Sequence, residues 1–323
     1  MYMQQLIKKR HTGRGGGDKY YIDCSHYAKN SDSLEMKTLI KNTRQHNVAI
    51  LKAIASDETI KKKNRHIVVK ISRNMDDKIQ EFMAVKEYRI GKALETITGF
   101  IKYICLFGCY DDTNGKFEPI EAGENPVTVT GKICDATDKT DENWKYVLVM
   151  PYIKNGSLES NSWTKDNVGL LKNLIMHMVL SLATAFEKFG FIHGDLHWGN
   201  ILFKETKMTN ISYKLDKTET ITLPTMGYKV VIMDFEKSVL KQQNNRQYFW
   251  DDLLTFCKKV AGLKNENNES VDWENENIIS IIRNNKKSKM PIENVVEIIK
   301  LIKKSAFNFM EVCEKPIYDP NVF

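Results

Sequence analysis

Apolar positions along this chain follow two different periods. In the first half they come in short blocks with strand-like alternation. NVAILKAIA (47–55), RHIVVKIS (65–72), FIKYICLFGCY (100–110) and YVLVMPYI (146–153) each predict a strand. One helix interrupts them over 76–97, where Ile79, Met83, Tyr88 and Leu94 recur at roughly helical spacing. Residues 111–143 read as loop, with room for a hairpin, and KNGSL after the last strand reads as a turn. Beyond it the period changes. Leu170, Leu171, Leu174, Ile175, Met178, Val179, Leu182 and Phe186 form an apolar helical stripe, and Gly190 is placed to stop that helix. A polar loop, a short ILF strand, a polar excursion (204–228) and a β-run, YKVVIMDF (228–235), come next. Helical patterns return at 247–263 and 292–310. Residues 1–45 are polar, contain GRGGG (13–17), and read as an N-terminal extension. No internal repeat is visible. The predicted class is α+β, with a β-rich part over 46–153 and a mainly helical part over 154–323.

Composition narrows the class without naming a chemistry. The 323 residues are 42% hydrophobic and 28% charged, which suits a folded chain with a sizeable core. No apolar run suggests a bilayer span, and MYMQQLIKKR is not a signal-peptide core, so an intracellular soluble protein, cytoplasmic or nuclear, is expected. The six cysteines form no CxxC pair, so free thiols are expected and a zinc site is not. The net charge of +7 includes lysine runs at 61–63 and in NNKKSK (284–289). No aromatic residues interleave with them in a stripe, so solvated surface is expected, with neither a nucleic-acid nor a membrane partner.

The polar residues that interrupt apolar strings are more specific. Lys70 closes one strand, and Glu87 lies on the helix after it, favoured by register over Glu81 and Glu95. Asp195 and Asn200 share the loop FIHGDLHWGNILF (191–203), and Asp234 follows VVIM at the end of a strand. A turn would account for the loop alone, since Asp, Asn and Gly favour turns. A charge at the end of a buried strand is costly without a partner. Phosphoryl transfer from ATP needs this set: a Lys on the phosphates, an acid to orient it, an Asp for the attacking hydroxyl, and an Asn and an Asp for magnesium.

In that order the motifs resemble those of the protein-kinase-like superfamily. HGDLHWGN (193–200) is similar to the kinase catalytic loop, MDFE (233–236) to the D-F-G metal motif, and VVK (68–70) to the strand lysine motif. VMPYIKNGSL (149–158) resembles the hinge, and DLLTF (252–256) the start of the central C-lobe helix. LHWGN is most similar to haspin, an atypical Ser/Thr kinase, and the kinases of large DNA viruses mix the same features. The absence of an A-P-E motif also fits haspin-like kinases. The resemblance implies a two-lobed protein-kinase-like fold, with a small β-rich N-lobe holding one main helix and a larger, mainly helical C-lobe. It implies ATP and Mg2+ as cofactors and a protein Ser/Thr hydroxyl as acceptor. It implies that Asp195 orients the hydroxyl, that Lys70 and Glu87 pair on the phosphates, and that Asn200 and Asp234 hold magnesium. Met150, Tyr152 and Ile153 would line the adenine slot. His193 would brace the loop, Asp252 would accept hydrogen bonds from its backbone, and Trp198 would pack.

Several positions depart from the kinase pattern. Gly194 stands where most protein kinases have Arg, and Glu236 where D-F-G has Gly. His197 replaces a phosphate-contacting Lys, and would either touch phosphate or brace Asp195. A Gly-rich loop belongs roughly 15–25 residues before Lys70, yet no Gly occurs from 18 to 90, so the phosphate clamp is either made by non-Gly backbone near NTRQHN (42–47) or weak. Two alternatives therefore stay open: a small-molecule kinase, since HGDLH and DFE also occur in aminoglycoside and choline kinases, and a nucleotide-binding pseudokinase.

Overall fold

The computed structural model describes residues 21–22, 34–43, 48–55, 66–72, 77–110, 127–129, 131–134, 140, 144–161, 163, 166–215, 219–242, 246–261 and 291–304. The GRGGG stretch, both lysine runs, residues 44–47 of NTRQHN and most of 111–143 lie outside them. The architecture is α+β. The chain divides into two compact units, Met1–Val85 with Tyr103–Tyr152, and Lys86–Lys102 with Ile153–Phe323.

The first unit is a seven-stranded antiparallel sheet. Its strands are β1 (Tyr21–Ile22), β2 (Leu34–Thr43), β3 (Val48–Ala55), β4 (His66–Ser72), β5 (Cys105–Tyr110), β6 (Val127–Thr128) and β7 (Trp144–Pro151), in the order β1-β5-β7-β4-β3-β2-β6. The period-two pattern decides which face is buried. Ile67, Val69 and Ile71 of β4 join Leu51, Val147 and Val149 in a closed core. Each such side chain contributes roughly 1.5–3 kcal/mol by leaving water. Two expectations are corrected here. Residues 1–45 are not merely an extension, because β1 and β2 belong to the sheet. In β2, Leu34, Met36 and Leu39 are buried, but a register shift between Met36 and Thr38 breaks the alternation that would have marked the strand. The cysteines are not all free thiols, since Cys109 at the end of β5 is bonded to Cys134.

Helix α1 (Asp77–Leu94) starts in the first unit, and from Lys86 onward it groups with the second, not with the N-lobe range 46–153. The second unit is built on α2 (Val168–Phe189). Among the described residues this is the one helix long and apolar enough to cross a membrane, and most of it is buried inside the unit. It ends at Gly190, whose φ of +60° is a left-handed cap and whose N–H donates to Phe186 O at 2.7 Å. A residue with a Cβ there would cost roughly 1–2 kcal/mol. After a 3-10 turn (Trp198–Asn200) come β8 (Ile201–Glu205), β9 (Asn210–Lys214), β10 (Thr220–Pro224) and β11 (Tyr228–Ile232). β8 pairs with β11 and β9 with β10, both antiparallel. α3 (Arg246–Ala261) and α4 (Pro291–Lys304) follow.

The excursion at 204–228, read as merely polar, is thus largely a β-hairpin that buries Ile211, Tyr213 and Leu223. Polar bonds tie it to α2. His177 is fully buried, its Nε2–H donates to Pro224 O at 3.0 Å, and its Nδ1 accepts from the Tyr213 hydroxyl at 2.8 Å. Asn173 Nδ2 donates to the same carbonyl at 2.9 Å.

Candidate active site

The loop after α2 is pinned from behind. The N–H groups of His193 and Gly194 donate to the two oxygens of Asp252, at 2.6 and 2.9 Å. Asp252 sits on α3 and is buried, which pushes its carboxyl up to about 6, while the two backbone donors pull it down. The expected bracing role of Asp252 is what the geometry shows.

His193 is fully buried among Phe191 and Phe235. Its Nε2–H donates to Met233 O at 3.0 Å and its Nδ1 accepts from the Asp195 N–H at 3.3 Å. Those partners require the neutral ring. Burial holds its pKa down to about 4, against the opposing pull of Asp234, Met233 O and Asp195. One imidazole therefore couples the backbone of the Asp195 loop to that of the Asp234 strand.

Asn200, at 5% exposure, donates its amide to Asp195 O at 3.0 Å, and its own carbonyl accepts from the Met233 N–H at 3.0 Å. That donation orients the amide, and no described residue bonds Oδ1, which is left as an acceptor. Asp234 has φ +67°, uncommon for a residue with a Cβ. The strain is held by fully buried Phe235, packed edge-on against Phe191 and tilted against Phe100. One ligand oxygen from each of Glu87, Asp234 and Glu236 lies within 4.8 Å of the others. Three carboxylates that close repel one another, and hard oxygens at this spacing suit a divalent cation such as magnesium. Lys86 Nζ donates to Glu236 O at 3.0 Å and holds the backbone of this turn.

Asp195 Oδ2 accepts from Lys237 Nζ at 3.0 Å. His197 caps the 3-10 turn, its Nδ1 accepting from the Gly199 N–H at 3.1 Å. Trp198 is buried and stacks on Phe256, with centroids 5.5 Å apart and planes at 19°.

The loop of Asp195 and Asn200 is thus braced by Asp252 on α3 and joined through His193 to the turn at Asp234. The sequence matches the family described as haspin-like kinase domain over residues 27–256. The chain belongs to the haspin-like kinase family. It is similar to the serine/threonine-protein kinase haspin of Mus musculus, with 30% identity over 145 residues, 44% of this chain and 18% of the mouse protein. It is also similar to a viral protein described as a phosphotransferase, 057R of Frog virus 3, with 25% identity over 91 residues, 28% of this chain and 18% of that one. The chain thus spans about a fifth of the length of these curated relatives. Among solved structures it is similar to WaaP in complex with acyl carrier protein, at TM-score 0.40 and 10% identity, covering 85% of this chain and 89% of the other.

As a haspin-like kinase, the chain carries its remaining candidate residues as follows. Lys70 lies on β4 opposite Leu148, and Val68 lies opposite Met150. Directly opposed antiparallel residues share a face, so Lys70, Val68, Leu148 and Met150 lie on one side of the sheet, away from the closed core. Tyr152 N–H donates to His66 O at 3.4 Å, while Ile153 falls in the second unit. Glu87 is 3% exposed, whereas Glu95 is half-buried and paired with Lys92 at 2.6 Å; the side chain of Glu81 lies outside the described residues. Lys86 and Lys237 are not among the residues that the sequence singles out. Glu236 stands out there only as a departure from D-F-G, a comparison that hides its carboxylate beside Asp234. The lysines gave no signal in a chain with 48 Lys and Arg.

Proposed function

We propose that this haspin-like kinase transfers the γ-phosphoryl group of ATP, with Mg2+, to a Ser or Thr hydroxyl of a protein substrate. The observation that carries the reading is the second unit's cluster: Asp195 and Asn200 on a loop braced by Asp252, joined through His193 to the Asp234 turn. In this reading the acceptor oxygen attacks the γ-phosphorus, the bond to the ADP oxygen breaks, and the Asp195 carboxylate receives the hydroxyl proton. Lys70, on the first unit's sheet, neutralises the α- and β-phosphates. Met150 and Tyr152, in the first unit, contact the adenine. The shared sheet face of Lys70, Val68, Leu148 and Met150 supports this, since it offers a cation beside apolar surface. Asn200 through Oδ1 and Asp234 would hold magnesium, with Glu236 completing the oxygen set. Magnesium, when bound, offsets phosphate charge. The protein's own part is to fix these groups beforehand.

The test is magnesium-dependent transfer from γ-labelled ATP to the chain itself and to a mixed protein substrate, with Asp195→Asn and Asp234→Ala alongside. The expected result is phospho-Ser or phospho-Thr, with a fall of about 10²–10⁴ in Asp195→Asn, the usual range for a lost acid–base group. Nucleotide binding without transfer to protein would overturn the protein-kinase reading. A screen of small hydroxylated acceptors would then separate a small-molecule kinase from a binding module.

A further inference from the structure

His197 occupies the place of the lysine that accompanies the catalytic Asp in Ser/Thr kinases, yet it cannot act as that cation in the observed geometry. Its Nδ1 accepts from the Gly199 N–H, so that nitrogen carries no proton. A cation reaches the same carboxylate from a different element. Lys237, three residues beyond Asp234, donates to Asp195 Oδ2 at 3.0 Å. Three contacts determine where its side chain starts. Ser238 is fully buried, its N–H donates to Phe235 O at 3.1 Å, and its hydroxyl donates to His193 O at 2.8 Å. The Lys237 backbone lies against Gly194, where a Cβ would come within 2.6 Å of Lys237 O. Gly194 also has φ +77°. The glycine that replaces the usual Arg is therefore what lets the Lys237 backbone approach the catalytic loop. The ion pair itself is 55% exposed on the lysine side and 31% on the aspartate side, too wet to count for much in stability. The surrounding backbone thus fixes where an exposed ammonium starts, beside Asp195.

We infer that Lys237 is a catalytic residue that contacts the γ-phosphoryl group, in place of the lysine absent at position 197. An ammonium has three donors, so it can keep Asp195 while donating to a phosphate oxygen. It retains its proton throughout, and the hydroxyl proton still passes to Asp195. The inference rests on the kinase reading above.

The experiment compares wild type with Lys237→Ala and Lys237→Arg. It reads kcat and KM for ATP, and separately the calorimetric Kd for magnesium–ATP and magnesium–ADP. Loss of one preorganised donor to the reacting group should lower kcat about 10²–10³-fold in Lys237→Ala. Affinity for ATP should fall at least tenfold while that for ADP holds, because only ATP presents the γ-phosphate. Lys237→Arg should keep part of both, since it keeps the charge. Equal losses for ATP and ADP would overturn the inference by showing a brace. An unchanged kcat with an unchanged ATP-to-ADP ratio would also overturn it, leaving the kinase reading intact. A wild-type chain that binds neither nucleotide would sink that reading, and this inference with it.

Discussion

At the residue scale, His193 and Asp252 carry opposite shifts within one hydrogen-bonded unit. Burial lowers His193 from 6.5 to about 4, so its neutral form belongs to the fold. Its stabilising contribution is complete above pH 6.5 and is lost as the pH falls toward 4, because the unfolded chain takes up the proton first. Asp252 is raised from 3.8 to about 6, so its contribution is complete at low pH and is lost as the pH rises through 6. Each shift exceeds two pH units and amounts to about 3 kcal/mol. Across pH 4–6.5 the two nearly cancel, and Asp252→Asn removes one of them. The variant should lose about 3 kcal/mol more between pH 6.5 and 4 than wild type does, on top of a constant penalty for the weaker brace. Urea midpoints at half-unit pH intervals would show this; a variant profile parallel to wild type would mean that Asp252 titrates as in the unfolded chain, and a flat variant profile that His193 does. The bracing role of Asp252 was legible, because DLLTF stands in motif order after MDFE. The positive φ of Asp234 and the near contact of Gly194 with Lys237 were not, since no side-chain pattern encodes a backbone angle or an approach between distant segments.

At the element scale, legibility follows how each element is buried. α2 was readable because its stripe is continuous and Gly190 supplies the one conformation that closes it. The β9–β10 hairpin was not. Each of its strands has a wet face, with Ser212 and Thr222 hydroxyls bonded across it at 2.8 Å, so its composition looks like loop. What secures it is polar: Tyr213 and Pro224 O, both held by His177. Tyr213→Phe leaves the buried His177 Nδ1 without its donor and should cost about 1–3 kcal/mol, the usual penalty for an orphaned buried acceptor. His177→Leu with Tyr213→Phe removes both partners, but leaves Pro224 O with Asn173 alone. A double-mutant cycle read by thermal unfolding should therefore give a coupling of about 1 kcal/mol, while a coupling near zero would mean that the hairpin is held by Ile211 and Leu223 packing.

At the scale of the whole molecule, one division between the units falls at Tyr152 and Ile153, and others fall at Val85 and Lys86 and at Lys102 and Tyr103. What the periods could not show is that α1 from Lys86 onward groups with the second unit, because a helical stripe says which face is buried but not against what. Nor could cysteine spacing show the Cys109–Cys134 bond, since pairing depends on two segments converging in space. That bond makes a prediction confined to one unit. It closes a loop with a sequence separation of 25. Loop-closure entropy for that length gives about 3–4 kcal/mol of stabilisation through the unfolded chain. Cys109 also packs in the core with Leu51, Val147 and Val149, so its thiol would stay buried after reduction and the sheet would keep its apolar contacts. Loss of this bond alone should therefore weaken the first unit without dissolving it. Hydrogen exchange of wild type against Cys134→Ala, both without reductant because Cys105 is disulfide-bonded as well, would measure this strand by strand. Protection should drop by about two orders of magnitude or more in β5 and β7, as the lost stabilisation converts at 1.4 kcal/mol per tenfold. Protection in α2 should stay unchanged, because no disulfide is described in the second unit and Cys257 there is a buried free thiol. An equal drop in α2 would mean that the two units open together and that the bond stabilises the chain as a single cooperative body.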